Sequence, residues 1–195
     1  TPTSKADASY TITPSGLTAD NYKITFVDSI VSVSPRVITI EWSDTSFTYN
    51  GTPQAPTATA GSTINGDKLT LTVTGTGKNA GSYTAEAVGI TGPNAENYCL
   101  PEKNTVGFAI GQKPVSVEVT VGDKDFDGTR DAAVESATLT GVLAGDAVAV
   151  QAGKVSFAHA APGTWEVTLE KLTLTGADAG NYSLTNPQPT GITAT

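Results

Sequence analysis

Apolar and polar residues alternate with a period of two along several short stretches of the chain. The clearest examples are residues 37–42, 69–73, 115–119 and 172–174. Because successive side chains of a strand point to opposite faces, this alternation predicts strands with one buried and one solvated face. Antiparallel sheets suit such strands best, and we find no long stretch that favours a helix. The pattern therefore predicts an all-β protein.

Two sequence anchors recur three times, in the same order, at spacings of roughly 80 residues, the length of a small domain. One anchor is an aromatic residue that follows a hydroxyl residue, and the other is an Asn-Tyr pair that follows an alanine. The aromatic residues are Tyr10, Tyr83 and Trp165, and the tyrosines of the Asn-Tyr pairs are Tyr22, Tyr98 and Tyr182. A recurring unit of this size indicates tandem modules.

A third anchor occurs in the two later units only, where Tyr49-Asn50-Gly51-Thr52 matches Phe126-Asp127-Gly128-Thr129. Proline-containing joints at Pro35 and Pro114 separate the units. We therefore predict a partial module at 1–34, a middle module at 35–112 and a last module at 113–195. About seven strands in each whole module favour a small immunoglobulin-like sandwich, and a more open β-rich fold remains an alternative.

The joints and the short first module shape the expected organisation. Proline fixes its own φ and biases its predecessor toward extended backbone, so each joint should act as a semi-rigid spacer in an elongated array. Thirty-four residues cannot build a core alone. We expect residues 1–34 to pack on the neighbouring module, to exchange strands with another copy, or to be ordered only in part.

Composition and charge narrow the classes of partner. The 20 glycines and 11 prolines suit strands and turns, and 19 acidic against 11 basic residues give a formal net charge of −8. The basic residues are scattered, which argues against nucleic-acid binding. No apolar run reaches the 18 or more residues of a membrane span. The single cysteine excludes an internal disulfide framework and is typical of exported bacterial surface proteins rather than of disulfide-rich ectodomains.

The last module resembles the YDG domain of bacterial surface proteins along almost its whole length. The resemblance lies in residues 126–129, 137–146 and 174–182, with Phe126 where the family's name-giving triplet has tyrosine. Residues 1–34, through 10–12 and 16–26, resemble the end of an MBG (mostly beta, glycine-rich) domain, and the middle module resembles a related MBG-like module.

These resemblances imply extracellular repeat units in the stalks of adhesin-like proteins attached to the bacterial cell surface or cell wall. They imply no enzymatic activity and no cofactor, and the partners they imply are the neighbouring modules of the same polypeptide. The alternative is a β module whose loops bind a host glycan or matrix protein.

The sharpest candidate for ligand chemistry is an acidic stretch in the last module. Asp123, Asp125 and Asp127 alternate before a glycine, with Asp131 beyond, and alternating carboxylates followed by glycine are how a calcium loop places oxygens around the ion. The twelfth position of such a loop falls on Val134 instead of a bidentate acid. The alternative is a plain acidic turn, since the middle module has Asn50-Gly51 at the same place without the acids.

The remaining reactive residues have structural interpretations. We expect the only histidine, His159, to lie exposed in a loop, and Cys99 to be a tolerated strand residue without a base partner. The repeated tyrosines are expected to pack in cores or turns, with a row of rings for sugar stacking as the alternative. Lysine, asparagine and glutamate on neighbouring strands leave open an internal amide crosslink, which an intact mass would reveal.

Overall fold

A computed structural model describes residues 5–6 and 8–195, and this part of the chain folds into β-strands and two short 3₁₀ turns. The predicted all-β fold is confirmed, whereas the immunoglobulin-like tandem arrangement stays a prediction. Within the same residues, no helix is long and apolar enough to cross a membrane. The 3₁₀ turns, Ala95–Asn97 and Ala179–Asn181, directly precede the tyrosines of two Asn-Tyr anchors.

The strands are short, as expected for segments separated by glycine- and proline-rich turns. In chain order they are β1 Ala8–Ile12, β2 Ser29–Val33, β3 Arg36–Val37, β4 Thr39–Ser43, β5 Ser46–Thr48, β6 Thr57–Gly61, β7 Thr70–Thr74, β8 Gly81–Thr91, β9 Tyr98–Cys99, β10 Thr105–Gly111, β11 Lys113–Val121, β12 Val134–Thr140, β13 Ala149–Gln151, β14 Val155–Phe157, β15 Trp165–Leu169, β16 Thr173–Thr175, β17 Tyr182–Leu184 and β18 Thr193–Ala194.

The chain forms two compact units that interleave in sequence. Unit 1 contains the described residues up to Thr45 together with Ala55–Gly75 and Thr84–Gly107, and unit 2 contains Ser46–Gln54, Thr76–Tyr83 and Phe108–Thr195. Strands β8 and β10 contribute residues to both units. The module boundaries at 34/35 and 112/113 remain a prediction from sequence.

In unit 1, antiparallel pairs form between β1 and β2, between β4 and β6, and between β7 and β8, while β3 and β9 pair in parallel. Its buried residues include Ile38, Ala85, Ala87 and Tyr98. Ala85 and Ala87 occupy alternate positions of β8, so the period-two pattern places both on the inner face.

The described residues of the first, partial module form the β1–β2 hairpin and no closed sandwich. The hairpin and the chain between its strands expose apolar side chains, among them Leu17, Val27 and Ile30 at 69%, 76% and 70%. A hydrogen bond from the Ala6 N–H to Asn97 Oδ1, at 2.8 Å, links the described part of this segment to the rest of unit 1.

In unit 2, β11 pairs antiparallel with β12 and in parallel with β17, β13 pairs with β16, and β15 lies between β14 and β18. Strand β5 pairs in parallel with β10. A cluster of buried apolar residues in this unit comprises Val119, Val121, Val155, Phe157, Val167, Leu169, Leu172 and Ala194. The expectation of antiparallel sheets is therefore incomplete, because each unit also contains parallel pairs.

The two whole modules repeat each other's pairing in detail. Thr39 pairs with Gly61 in the middle module, and Ser116 pairs with Thr140 in the last. Two hydroxyl pairs also correspond: the distance between side-chain oxygens is 2.6 Å for Ser43 and Thr57, and 2.7 Å for Thr120 and Ser136. The repeat seen in sequence is thus a repeat of strand register.

Candidate functional site

The third sequence anchor forms an Asx turn in both whole modules. Asn50 Oδ1 accepts hydrogen bonds from the backbone N–H of Thr52 at 2.9 Å and from its hydroxyl at 2.8 Å. Asp127 Oδ1 accepts the same two bonds from Thr129, at 2.8 and 2.9 Å. The central glycines, Gly51 and Gly128, have φ of 78° and 77°, a conformation that favours glycine. We call residues 49–52 and 126–129 the Asx turns.

In each of the two whole modules, a second repeated element joins the tyrosine of the Asn-Tyr anchor to an acidic residue in a glycine-containing turn. In the middle module, the Tyr98 hydroxyl donates to Asp67 Oδ2 at 2.6 Å and accepts a hydrogen bond from the Ile64 N–H at 3.0 Å. Asn94 Nδ2 also donates to Asp67. These donors, Tyr98 first, lower the pKa of Asp67, and the bond to Asp67 raises the pKa of Tyr98.

The last module repeats this arrangement with one more partner. The Tyr182 hydroxyl donates to Asp146 Oδ2 at 2.5 Å and accepts from the Leu143 N–H at 3.1 Å. The Tyr49 hydroxyl donates to the same Asp146 oxygen at 2.8 Å, and both tyrosines belong to unit 2. We call residues 64–67 and 143–146 the acidic turns.

The ionisation of this cluster follows from its contacts. The hydroxyls of Tyr182 and then Tyr49 lower the pKa of Asp146. Burial, and after it the hydrogen bond to Asp146, raises the pKa of Tyr49 to about 12. Burial followed by the same carboxylate also raises the pKa of Tyr182. The cluster therefore consists of a carboxylate and two neutral phenols over most of the pH range.

The structural interpretation of the repeated tyrosines holds for two of the three. Tyr98 and Tyr182 are 7% and 2% exposed, which excludes them from a row of rings open to sugar stacking. Tyr22 is 81% exposed, so the prediction that it packs in a core or turn is wrong. The described residues of the first module contain no acidic turn that could receive its hydroxyl.

The asparagine of the Asn-Tyr anchor accepts a backbone hydrogen bond from an earlier segment in both units. Asn97 Oδ1 accepts from Ala6 N–H in unit 1, and Asn181 Oδ1 accepts from Ala80 N–H in unit 2, each at 2.8 Å. Asn181, at 5% exposed, is a buried polar side chain with its partners present. The anchor thus pairs a tyrosine that holds an acidic turn with an asparagine that holds a preceding loop.

The calcium candidates are not brought together around one point. Asp123 Oδ1 accepts from the Thr195 N–H at 2.7 Å, while the Asp127 oxygens bind Lys124 Nζ and Thr129. Asp131 forms a backbone bridge to Ser156, and Asp125 is exposed. Among residues 5–6 and 8–195, no three acidic, histidine or cysteine side chains could hold a metal ion together. Contact with Lys124, then with Thr129, lowers the pKa of Asp127 to about 2. Calcium binding stays an untested hypothesis.

His159 is exposed, as expected, but it takes part in a cleft that the sequence did not predict. Its ring lies 4.4 Å from that of Trp165, centroid to centroid, and the indole N–H donates to the Ala161 carbonyl at 2.7 Å. The cleft has a volume of about 190 Å³ and lies between the Asx turn that contains Phe126 and the loop 159–163. Phe126 is 68% exposed there.

Cys99 lies half-buried in β9, where its Sγ is 3.9 Å from the Pro35 carbonyl oxygen. This position agrees with its interpretation as a tolerated strand residue.

The repeated turns and anchors are the features by which the chain can be compared with known proteins. The model of the YDG domain family matches residues 34–106 and 111–191, which together make up most of the chain. The chain belongs to the YDG domain family. The first YDG segment coincides with the middle module, which we had expected to be MBG-like, and the second coincides with the last module. Searches of the curated proteins and of the solved structures gave no match.

In both YDG segments the acidic turn is the element that sequence reasoning missed. Gly66-Asp67 and Gly145-Asp146 stand at the same distance after the first paired strands, and their glycines have φ of 75° and 95°. This recurrence was visible in the sequence. The contact that each aspartate makes could not be predicted from the sequence, because its tyrosine partner lies 31 or 36 positions later.

Proposed function

We propose that this chain is a non-enzymatic stalk or spacer segment of a bacterial cell-surface adhesin-like protein. Its β modules would follow one another in the polypeptide and hold a distal binding domain away from the cell wall. Its partners would be neighbouring modules, and its location extracellular. The proposal includes residues 1–34 as the end of an MBG-type module, supported by the resemblance of residues 16–26.

One observation carries this proposal: the polar side chains that recur in both YDG segments bind one another. Tyr98 and Tyr182 bind their acidic turns, Asn50 and Asp127 close their own Asx turns, and Asn181 is buried. In a binding module the recurring polar groups would face a shared concave surface instead. A repetitive structural segment requires recurring residues of this kind, which bind one another and stabilise each module.

The net charge of −8 supports the same function, since like charge keeps an exposed array soluble and discourages association between copies.

The proposal is tested by using the whole chain as a spacer. A sugar-binding domain would be displayed on bacterial cells through this chain, and in a parallel strain through a Gly/Ser linker with the same number of residues. A folded spacer sets a fixed distance, whereas the span of a flexible linker grows only as about the square root of its length. We expect cells with the chain to capture sugar-coated beads through a surface capsule better than cells with the linker. Equal capture would contradict a spacer role.

A second function is favoured by the cleft beside Phe126. An exposed phenylalanine, a tryptophan and a histidine around a cavity of about 190 Å³ could stack on a sugar ring. Binding of the whole chain to an array of glycans and matrix proteins, with and without calcium, tests this alternative. Saturable binding that Trp165→Ala abolishes would support it, and the absence of binding would count against it.

A further inference from the structure

The Asx turn of the middle module is covered by residues of the last module, all within unit 2. Tyr49 is 2% exposed, its hydroxyl binds Asp146, and its ring packs edge-on against Tyr182 at a centroid distance of 5.4 Å. A Cβ on Gly51 would lie 3.1 Å from Leu143 Cδ1. The Asx turn therefore packs closely against the next acidic turn.

The loop beside that Asx turn is covered in the same way. The Tyr83 hydroxyl donates to the Asn79 carbonyl at 2.9 Å and closes the loop, and the next residue, Ala80, donates its N–H to Asn181. The Asx turn and the loop are thus in contact with three side chains from the last module, those of Asp146, Asn181 and Tyr182.

The last module has the same surface, formed by its Asx turn and the loop 159–163, and there the surface is exposed to solvent. The Trp165 indole closes its loop onto Ala161 as Tyr83 does onto Asn79. Phe126, which corresponds to Tyr49, is 68% exposed, and a Cβ on Gly128 would meet nothing within 4 Å. The cleft lies between these two elements, where the middle module receives Asp146, Asn181 and Tyr182.

We propose that the cleft beside Phe126 is the docking site for a further YDG-type module placed after Thr195 in the same polypeptide. The inference rests on the proposed spacer function and specifies how successive modules join. The tyrosine and acidic turn of the incoming module would cover Phe126, and its Asn-Tyr asparagine would face the loop at Pro162.

Two sequence differences between the modules make this joint less polar than the one that Tyr49 forms. Phe126 has no hydroxyl to donate to an incoming aspartate, and Pro162, at the position of Ala80, has no N–H to donate to an incoming asparagine. Because Phe126 has no hydroxyl and Pro162 has no N–H, docking would bury no unpaired donor at these two positions. The remaining contact would be between aromatic rings.

The register of the sheet defines how to build the test. The Tyr49 N–H donates to Gly111, and the Lys124 N–H, two positions before Phe126, donates to Thr195. Thr195 therefore takes the place of Ala109, two positions before Gly111. An extended chain would carry a copy of residues 110–195 directly after Thr195, so that the copy enters with the register of the natural joint.

The experiment compares Phe126→Tyr in the original and the extended chain by calorimetry, with circular dichroism to verify folding. In the extended chain the new hydroxyl can reach the appended copy of Asp146. We expect the midpoint of thermal unfolding to rise by a few degrees, and the rise to disappear when the appended copy carries Asp146→Ala. In the original chain the same exposed substitution should leave the midpoint unchanged.

No rise in the extended chain, or an equal rise in both chains, would overturn the docking site. Neither result would affect the bead-capture test of the spacer function. Saturable binding to a glycan that Phe126→Ala abolishes would also overturn the docking proposal, because the cleft would then belong to a sugar ligand.

Discussion

The ring of Tyr49 meets the ring of Tyr182 edge-on, and both hydroxyls donate to one oxygen of Asp146. Edge-to-face packing is a favoured geometry for aromatic pairs, and it brings both phenol groups to the same carboxylate. One aspartate thereby fixes an Asx turn, an acidic turn and the start of β17.

Removing a single hydroxyl should measure how much this cluster stabilises the fold. Tyr182→Phe keeps the ring but leaves Asp146 with one fewer donor and the Leu143 N–H without its acceptor. We expect the free energy of unfolding to fall by about 1–2 kcal/mol, measured by urea denaturation. The matched control is Tyr22→Phe, whose hydroxyl belongs to a side chain that is 81% exposed. Equal effects of the two variants would contradict the role of the cluster.

At acidic pH, the free energy of unfolding should depend on the ionisation of the two aspartates in the acidic turns. The pKa values of Asp67 and Asp146 are lowered by tyrosine donors, so both lie below the value of about 3.9 in the unfolded chain. Their contribution is present above that value and is lost as the pH falls through the folded pKa. We expect the stability difference between the unmodified chain and Tyr182→Phe to shrink between pH 5 and pH 3. A difference that is constant with pH would show that the carboxylate is not involved.

At alkaline pH, the free energy of unfolding should depend on the ionisation of Tyr49. Its pKa of about 12 lies above the value of about 10 for an unfolded tyrosine, so its contribution is complete below pH 10 and is lost as the pH rises toward 12. Tyr49→Phe cannot ionise and should lose less stability across this range. Urea midpoints of the two proteins, measured at several pH values, would test this, and parallel declines would contradict it.

The two Asx-turn glycines form a natural matched pair. Gly51 and Gly128 have nearly the same φ, so replacement by alanine should cost about 1 kcal/mol of backbone strain at either position. At Gly51 the new Cβ would also crowd Leu143 Cδ1. We expect Gly51→Ala to lower the melting temperature more than Gly128→Ala does. Equal losses would mean that Leu143 moves aside freely.

Calcium should leave the thermal stability unchanged. Both oxygens of Asp127 already accept hydrogen bonds, from Lys124 and Thr129, and Asp123 Oδ1 accepts one from the Thr195 N–H, so these oxygens would have to exchange protein donors for the ion. We expect the same melting temperature with added calcium and with a chelator. A rise with calcium that Asp125→Asn removes would restore the calcium-loop hypothesis.

Local pattern was sufficient to predict several strands and the Asx turn of the middle module, but not the acidic turns. Alternation in residues 115–119 gave β11 because one face is buried, and Asn50-Gly51 gave a turn because glycine tolerates positive φ. Pattern could not predict the parallel pairing of β3 with β9, since alternation looks the same in parallel and antiparallel pairs.

The site was harder to predict because its contacts are distant in sequence. Asp146 meets Tyr49 across 97 positions, and no local motif specifies such a partner. Tyr22 shows the converse limit. It has the sequence anchor in full, yet no acidic turn among the described residues of its own partial module receives it, so the same motif leaves its ring in solvent.

The parallel pairing of β11 with β17 has a mechanical consequence. Lys113 pairs with Tyr182 and Val115 with Leu184, so the amino end of β11 and the carboxyl end of β17 lie at opposite ends of the pair. Tension that enters at Lys113 and leaves beyond Leu184 would pull the two strands past each other along their length. The hydrogen bonds between them would then bear the load in shear and break together, instead of opening one after another like a zip.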